Sequence, residues 1–460
     1  MCGLFGISNH PEASRMAYFG LYAQQHRGQE SAGIAAHDET GIHAHTGMGL
    51  VPDVFDEAAL NRLTGSAAIG HVRYSTTGSS ALRNAQPLVV HIRGLNLALA
   101  HNGNLTNAAA LRRELEEQGS IFQTNSDSET FVHLIAHGMK SAASLEEAIR
   151  AACARVQGAY SLVILAEGRL IAIRDPHGFH PLALGRAEKS WVVASETCAL
   201  DLLEAEYIRD IDPGEMLIIS GDNLNSQKLE GAGSVPIRQC IFELVYFARP
   251  DSRIFGEEVY TCRKNMGLEL AKEAPSEAQL TMPFPDSGIY AAIGYSQGTG
   301  IPYEHALIRN HYVGRTFIQP SQGMRSFGVR VKLNPVRSVI SGRHICVIDD
   351  SVVRGTTMRT RVGKLREHGA KIVDARISCP PVRFPCFYGV NFSTAEELTA
   401  ARHPLSELPR LLNLDSLCYL SIEGLLRTVK EPDHYCLACF NGSYPTPVPS
   451  CSGCKACGQA

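Results

Sequence analysis

The chain has 460 residues, of which 44% are hydrophobic and 19% are charged, and its formal net charge is −3. This length fits two large domains or three domains of about 150 residues each. The sequence lacks a basic stripe, a block of like charges, an N-terminal signal segment and a run of eighteen apolar residues, so it predicts no nucleic-acid partner and no membrane segment. It predicts a soluble cytoplasmic protein, in which the fourteen cysteines are thiols, metal ligands or catalytic groups rather than structural disulfides.

The second residue is the first candidate for catalysis. Removal of Met1 would make Cys2 the N-terminal residue and would place a thiol and a free α-amino group in one amino acid. The thiol attacks carbonyl carbons once it is deprotonated, and an α-amino group with a pKa of about 8 is able to accept that proton. By itself, position 2 is more typical of an unconstrained small hydrophobe, so the assignment depends on the rest of the chain.

Short strands and amphipathic helices follow one another through residues 1 to about 225. The predicted strands cover residues 67–72, 95–100, 160–165, 191–194 and 215–219. Helices are predicted over 107–118, with Thr106 as N-cap and Gly119 just beyond the last turn, and over 145–156. These clusters indicate sheets that are covered by helices. The segment 221–236 is rich in Gly, Ser and Pro, which predicts a surface connection and a domain boundary.

The second half of the chain contains the most specific motif, VIDDSVVRGTT at residues 347–357. Residues 344–348, 356–368 and 371–377 predict a βαβ unit with a parallel sheet, and the motif joins its first strand to its helix. Backbone N–H groups and the helix dipole converge at such a turn, which favours a bound phosphate. The two aspartates suit sugar hydroxyls or Mg²⁺, and the threonines offer hydroxyls to phosphate oxygens. An acidic cap on a glycine-containing turn is the alternative, and the run matches neither Walker A nor GxGxxG.

This run resembles the phosphoribosyl pyrophosphate signature of type I phosphoribosyltransferases, and nearly the whole chain resembles the amidophosphoribosyltransferase family. The resemblance extends through QHRGQESAG (25–33), GHVRYST (70–76), HNGN (101–104), SDSE (126–129), PDS (285–287) and residues 312–335. It implies an α/β fold, with an N-terminal nucleophile hydrolase sandwich of α/β/β/α layers over residues 1–230, a Rossmann-like type I phosphoribosyltransferase domain over 231–440 and a cysteine-rich tail over 441–460. It implies glutamine-dependent conversion of phosphoribosyl pyrophosphate to 5-phosphoribosylamine, with release of glutamate and pyrophosphate, at the first step of de novo purine (IMP) synthesis.

In the first domain, the resemblance implies a glutaminase site. Cys2 is the implied nucleophile, and its own α-amino group accepts the proton and later gives it to ammonia. The implied oxyanion hole consists of Asn102 and the backbone N–H of Gly103. The implied glutamine-binding residues are Arg73 for the α-carboxylate, Asp127 for the α-ammonium and Arg27 near the nucleophile. Each of these alone is equally typical of a surface ion pair or a turn, and their occurrence together with Cys2 supports the site.

In the second domain, the resemblance implies a phosphoribosyl pyrophosphate site with Mg²⁺. Asp349 and Asp350 bind the ribose hydroxyls, and the turn 285–288 holds pyrophosphate. The 5′-phosphate and the rest of the substrate are assigned to Ser351, Arg354, Gly355, Thr356, Thr357 and Lys332. Ser287 joins the two aspartates as a Mg²⁺ ligand. The basic loop over 312–337, which includes Lys332, is either a mobile polar loop or a lid, and the resemblance favours the lid.

Four cysteines match the ligands of the family's iron-sulfur subgroup, which the Bacillus enzymes typify. Cys240, Cys386, Cys436 and Cys439 are the implied ligands of a [4Fe-4S] cluster, although the C-x-x-C spacing of the last two is equally compatible with zinc. Members of this subgroup often begin with a short propeptide, which is absent here, so methionine removal alone is expected to expose the nucleophile. The tail adds an unassigned C-x-x-C-x-x-C run at Cys451, Cys454 and Cys457, and Cys379 is predicted to be a core residue.

The resemblance also implies purine nucleotides as feedback inhibitors and a homotetramer or homodimer. Two other classes remain open from the residues alone. One couples the same glutaminase domain to a hexose-phosphate isomerase domain, which the motif at 347–357 argues against. The other is a non-enzymatic ligand or redox sensor, which would not need Cys2, Arg73 and the pyrophosphate turn.

Overall fold

The computed structural model describes residues 1–75, 79–309 and 333–448. Most of the predicted basic loop, including Lys332, lies outside these residues, as do the three cysteines of the tail. No helix within the described ranges is long and apolar enough to cross a bilayer.

Two antiparallel sheets lie face to face in the first domain. Their strands are β1 (Gly3–Ser8), β2 (Ser31–Asp38), β3 (Gly41–Met48), β4 (Ala67–Arg73), β5 (Leu88–Ile92), β6 (Leu95–Leu105), β7 (Gly158–Ala166), β8 (Arg169–Arg174), β9 (Ala183–Ala187), β10 (Ser190–Ala194), β11 (Glu206–Asp210), β12 (Glu215–Ser220) and β13 (Asn223–Lys228). The first sheet has the order β11-β9-β10-β1-β4-β2-β3, and the second has the order β13-β12-β8-β7-β6-β5. All five predicted strands are therefore present in one sheet or the other, as β4, β6, β7, β10 and β12.

Helices cover the outer face of each sheet. They are α1 (Ala13–Ala23), α2 (Val51–Val54), α3 (Glu57–Asn61), α4 (Ala108–Glu117), α5 (Ser128–Gly138), α6 (Leu145–Arg155) and α7 (Cys198–Leu202), with 3-10 turns at Gln25–Arg27 and Leu82–Asn84. Strand β1 explains the layering, because Phe5 and Ile7 pack towards the helices while Leu4 packs between the sheets. Both faces of the strand are buried, and residues 3–7 are apolar without a break, with the polar Ser8 at its end. The predicted α/β/β/α sandwich is observed.

Two local predictions in this domain need correction. The N-cap of α4 is Asn107 and not Thr106, since the helix begins at Ala108. The segment 221–236 is only partly a connection, because its first half forms β13, which pairs with β12 at the edge of the sheet. This strand is polar and mostly exposed, so backbone hydrogen bonds form it without the apolar alternation that identifies a strand in a sequence.

A parallel sheet with the order β17-β20-β21-β22 forms the centre of the second domain. The strands are β14 (Gln239–Cys240), β15 (Arg253–Ile254), β16 (Glu257–Glu258), β17 (Leu280–Pro283), β18 (Leu307–Arg309), β19 (Leu333–Pro335), β20 (His344–Asp349), β21 (Ile372–Ile377), β22 (Ser416–Tyr419) and β23 (Tyr435–Cys436). The α-helices are α8 (Val259–Glu273), α9 (Ile289–Thr299), α10 (Arg337–Ile340), α11 (Thr356–Glu367), α12 (Thr399–Arg402), α13 (Leu408–Leu412), α14 (Ile422–Leu426) and α15 (Ala438–Asn441). A π-helix covers Glu243–Phe247, and 3-10 turns lie at Ala395–Glu397, Leu405–Glu407 and Pro432–His434. The predicted βαβ unit corresponds to β20, α11 and β21.

The first and last strands of the second domain, β14 and β23, lie side by side and contact the first domain. Strand β14 pairs in parallel with β23, so Cys240 lies opposite Cys436. The backbone N–H of Cys240 also donates to the carbonyl oxygen of Phe179 in the first domain, at 2.9 Å. The Phe179 ring stacks on the Tyr388 ring at 4.2 Å, which adds a contact between the domains.

Candidate functional site

The N-terminal strand delivers Cys2 to the centre of the first domain's site. Strand β1 pairs with β4, and Gly3 lies opposite Val72, so Cys2 reaches the end of β4 where Arg73 lies. The backbone N–H of Cys2 donates to Asn102 Oδ1 at 2.8 Å, and its Sγ lies 3.7 Å from the carbonyl oxygen of Tyr74. The structure therefore brings Cys2, Arg73 and Asn102 together, as predicted from motifs that are far apart in the sequence.

The predicted oxyanion donors are Asn102 and Gly103, which are neighbours on strand β6. Asn102 is fully buried, and while its Oδ1 accepts from Cys2, its Nδ2 has no hydrogen-bond partner among the described residues. A buried donor without a partner costs about 1–3 kcal/mol, a cost that a ligand oxygen would remove. Gly103 has φ +153°, and a Cβ there would lie 2.0 Å from the carbonyl oxygen of Ala159, so only glycine fits.

A buried polar network lies beside Asn102. Its members His101 and Ser128 belong to the motifs at 101–104 and 126–129, but sequence reasoning assigned them no role and missed Gln86. His101 Nδ1 lies 2.9 Å from Ser128 Oγ, and Gln86 Nε2 donates to the same oxygen at 2.8 Å. Gln86 Oε1 in turn accepts the backbone N–H of His101 at 2.8 Å. Burial lowers the pKa of His101, which favours the neutral ring. Its Nε2 faces the carbonyl oxygen of Ala159 at 3.4 Å, which can only accept, so the proton belongs on Nε2 and Nδ1 accepts the hydrogen bond from the Ser128 hydroxyl. These contacts fix the part of β6 that carries Asn102.

Arg73 and Asp127 are the two charged side chains that are predicted to bind glutamine, and neighbouring groups hold each of them. Arg73 is nearly buried, and its Nη1 donates to the carbonyl oxygen of Ser79 at 3.1 Å and lies 3.6 Å from Glu30 Oε2. Asp127 Oδ2 accepts the backbone N–H of Leu105 at 2.9 Å, at the end of the strand that carries Asn102. Arg73 is thus the last residue of β4, and Asp127 precedes α5 and is held against the end of β6.

Arg27 contacts the nucleophile directly and is held by two carboxylates that sequence reasoning missed. Its Nε donates to the carbonyl oxygen of Cys2 at 2.9 Å. Its Nη1 donates to Glu196 at 2.5 Å, and Nη1 and Nη2 donate to the two oxygens of Glu243 at 3.0 and 2.7 Å. Burial alone would lower the pKa of Arg27, but the charges of Glu243 and Glu196 raise it above its ordinary value. The guanidinium is therefore charged although it is fully buried.

The phosphoribosyl motif lines a cavity of about 340 Å³ at the carboxyl end of β20. The predicted residues that line it are Ser287, Asp349, Asp350, Ser351, Arg354, Gly355, Thr356 and Thr357. Gly355 adopts φ +70° immediately before α11, which turns the helix N-terminus towards the cavity. Tyr74 of the first domain also lines the cavity, together with Tyr246 and Phe247 of the π-helix, and the motif analysis did not find these three.

The two aspartates of the cavity form a concentrated negative charge. Burial and the neighbouring Asp350 carboxylate raise the pKa of Asp349 well above its usual range, while Arg361 Nη1, 3.7 Å from Asp349 Oδ2, opposes this. A divalent cation would favour the charged form of both carboxylates. Arg354 lines the same cavity, but its guanidinium donates to Glu397, so its reach towards a ligand depends on breaking that pair.

The four predicted cluster ligands converge where the two ends of the second domain meet. Cys240 and Cys436 face each other across the β14–β23 pair, and the carbonyl oxygen of Cys439 accepts two N–H groups from residues 383 and 384, close to Cys386. Burial raises the pKa of all four thiols, that of Cys436 to about 12, and neighbouring thiols raise those of Cys240, Cys436 and Cys439 further. The backbone N–H of Tyr388 donates to Cys386 Sγ at 3.4 Å.

The donor set here consists of four thiols, and four thiolates are the ligands of a [4Fe-4S] cluster. Within the described part of the chain, no three His, Cys, Asp or Glu side chains converge closely enough to hold one metal ion. N–H donation to a cysteine sulfur, as at Cys386, favours its thiolate form.

Comparison with known proteins identifies the class and the family. A family model described as a glutamine amidotransferase domain matches residues 71–202. The amidophosphoribosyltransferase of Synechocystis sp. is 51% identical over 454 residues, which cover 97% of this chain and 91% of the relative. That of Bacillus subtilis is 48% identical over 97% of this chain and 94% of its own length. A solved structure of glutamine phosphoribosylpyrophosphate amidotransferase from B. subtilis, complexed with ADP and GMP, superposes with a TM-score of 0.90 at 47% identity and covers 97% of this chain and 98% of the other.

The first domain is therefore a glutamine amidotransferase domain of the N-terminal nucleophile type, followed by a phosphoribosyltransferase domain. The chain belongs to the amidophosphoribosyltransferase family. It is an enzyme of that class, which acts at the first step of purine biosynthesis. The predictions of fold, family and enzyme class are confirmed, and the isomerase and sensor alternatives are excluded.

Proposed function

We propose that Cys2 releases ammonia from glutamine and that the cavity at Asp349–Thr357 uses this ammonia to make 5-phosphoribosylamine. The single observation that carries the proposal is the buried Nδ2 of Asn102, which has no partner among the described residues although Oδ1 of the same side chain holds Cys2. A donor fixed beside a thiol in this way suits a tetrahedral oxyanion.

The glutaminase half-reaction follows from the residues around Cys2. Arg73 and Asp127 bind the α-carboxylate and α-ammonium of glutamine, and the Cys2 thiol adds to the side-chain amide carbon while its proton moves to the α-amino group of the same residue. Asn102 Nδ2 and the N–H of Gly103 donate to the oxyanion. Ammonia leaves with the proton from the α-amino group, and water then cleaves the thioester to release glutamate and restore the thiol.

The second half-reaction takes place at the carboxyl end of β20. Asp349 and Asp350 accept hydrogen bonds from the ribose hydroxyls, and the turn before α11 binds the 5′-phosphate through N–H groups and the hydroxyls of Thr356 and Thr357. Ammonia attacks the anomeric carbon as the bond to pyrophosphate breaks. Asp349, Asp350 and Ser287 line the same cavity and offer the oxygen ligands that Mg²⁺ prefers, so they would hold this ion, which would supply positive charge for the departing pyrophosphate.

Replacement of Asn102 by alanine tests the oxyanion hole. We expect glutaminase kcat to fall roughly a hundredfold, or about 3 kcal/mol, because one preorganised donor to the oxyanion is lost. Glutamate release measures this, and the ammonia-dependent reaction reports on the second domain in the same sample. Asn96→Ala, on the same strand β6 but paired with His91, is the matched control and should leave both rates unchanged. An unchanged glutaminase rate in Asn102→Ala would remove this residue from the site.

We also propose that Cys240, Cys386, Cys436 and Cys439 hold a [4Fe-4S] cluster, which would serve a structural role because it lies at the domain junction. Anaerobic preparations are expected to be brown, with a broad absorption near about 400 nm and about four iron and four sulfide per chain. Cys436→Ser should lose the colour, whereas Cys418→Ser, on β22 and outside this group, should keep it. A colourless parent protein that contains only zinc would contradict the assignment.

Further features of the proposal rest on the resemblance and on the relatives. We place the domain boundary at residues 230 and 231, between the end of β13 at Lys228 and the start of β14 at Gln239. Feedback inhibition by purine nucleotides is supported by the related B. subtilis enzyme, which was solved with ADP and GMP. A homodimer or homotetramer and a cytoplasmic location complete the proposal, and sedimentation with and without these nucleotides tests the assembly.

A further inference from the structure

One carboxylate of the second domain lies within the buried network around the glutaminase nucleophile. Glu243 is the first residue of the π-helix and is fully buried. Both of its oxygens accept hydrogen bonds from Arg27, at 2.7 and 3.0 Å. The Nε–H of the same guanidinium donates to the carbonyl oxygen of Cys2. Two residues therefore connect the second domain to the main chain of the nucleophile.

We infer that Glu243 is a positioning residue of the glutaminase reaction, which acts on Cys2 through Arg27. The inference rests on the proposed role of Cys2 as nucleophile. Arg27 alone has five N–H donors in a planar fork, and a bidentate carboxylate fixes the plane and rotation of that fork. When the guanidinium is fixed, its Nε–H points in one direction only, and the carbonyl oxygen of Cys2 accepts this N–H at 2.9 Å.

The charges around Arg27 keep its guanidinium in place. Burial would raise the pKa of Glu243, but Arg27 and His180 lower it to about 2, so the carboxylate is ionised. Glu196 of the first domain binds Arg27 from the other side at 2.5 Å. A buried ion pair that loses one partner leaves an uncompensated charge, so removal of the Glu243 charge should move the guanidinium towards Glu196.

Arg263 holds Glu243 in the second domain. This buried arginine of α8 donates through Nε to the carbonyl oxygen of Leu244 and through Nη2 to that of Ala248, each at 2.8 Å. It thereby fixes both ends of the π-helix. The position of the carboxylate is set by the second domain, so the glutaminase site of the first domain is incomplete without it.

The test is Glu243→Gln, which keeps the shape and removes the charge. We expect the ratio of glutamine-dependent to ammonia-dependent product formation to fall at least tenfold, through kcat and not through KM for glutamine, because Glu243 contacts Arg27 beside the nucleophile and not Arg73 or Asp127, which are assigned to the charged groups of glutamine. Glu215→Gln is the matched control, since Glu215 also binds an arginine, Arg209, through both oxygens at 2.7 Å but lies away from Cys2. That control should keep the parental ratio.

A double-mutant cycle separates positioning from simple loss of structure. In an Arg27→Met background, Glu243→Gln should lower the ratio by less than threefold, because the residue through which it acts is gone. Equal effects in both backgrounds, or a parental ratio in Glu243→Gln alone, would overturn the inference. If Glu243→Gln fails to fold, Glu243→Asp, which keeps the charge and shortens the side chain, takes its place in the same cycle with the same criteria. Loss of glutamine-dependent activity in a Cys2 variant, measured in parallel, shows whether the proposed function itself holds.

Discussion

Cys2→Ala is expected to lose glutamine-dependent product formation by roughly a thousandfold or more, while free ammonia still supports the reaction. The reason is the separation of the two sites: Cys2 and Asn102 lie in the first domain, and the cavity of Asp349 lies in the second. Alanine removes the thiol that forms the thioester and leaves the phosphoribosyl cavity intact. Glutamate release and pyrophosphate release, measured with glutamine and with ammonium chloride, give the two rates.

Cys153→Ala is the matched control for this prediction. Cys153 is another cysteine of the first domain, but it lies on α6, where it is buried in the helix layer outside the second sheet. Its replacement should leave both rates close to those of the parent. Equal loss of the glutamine and ammonia reactions in Cys2→Ala would show that the two domains do not divide the chemistry in this way.

The second large effect is expected for Asp349→Asn, which should lower the reaction with both nitrogen donors by roughly a hundredfold or more. Asparagine keeps the shape of the side chain but removes the charge that we propose binds the ribose hydroxyls and Mg²⁺. kcat/KM for phosphoribosyl pyrophosphate, measured over a range of Mg²⁺ concentrations, detects the loss. Asp374→Asn is the control, because Asp374 is similarly buried on the neighbouring strand β21 but binds Ser276 and Ser416. It should affect thermal stability more than activity.

The raised pKa of Asp349 adds a pH dependence with a definite sign. Because burial and Asp350 raise this pKa, a fall in pH protonates Asp349 earlier than an exposed aspartate and weakens its hold on Mg²⁺. The Mg²⁺ concentration for half-maximal rate should therefore rise as pH falls. Asp350→Asn removes the neighbouring charge, lowers the pKa of Asp349 and should move this rise to lower pH. A Mg²⁺ requirement that does not change with pH would contradict the coupling of the two carboxylates.

The fold was predictable where each segment carries its own signal. Strand β7 is a largely apolar run, and the motif at 347–357 lies between an apolar strand and a helix, so these elements were predicted correctly. Strand β13 was missed because its side chains are polar and exposed, and only its backbone pairs with β12. A sequence pattern predicts a strand from its side chains, and an exposed edge strand does not require apolar side chains.

The candidate site was predictable only in the same limited sense. Motif residues such as Cys2 and Asn102 could be assigned one by one, but the groups that hold them come from distant segments. Glu243 binds Arg27 across 216 residues of chain, and nothing in its immediate sequence marks it. Gln86 and Ser128 likewise have no function until the fold brings them to His101. Such supporting contacts depend on tertiary structure and have no local pattern.

The pairing of β14 with β23 also bears on the conformational entropy of the unfolded chain. Cys240 and Cys436 are neighbours in the fold, but about 200 residues separate them, and only two residue pairs join their strands. A cluster bonded to both would close almost the whole second domain into a ring. By the relation used for disulfides, a ring of this size removes unfolded-chain entropy worth about 5 kcal/mol at 25 °C. The cysteines would then protect the enzyme against unfolding even though they take no part in the chemistry, and loss of the cluster would turn the ring back into an open chain.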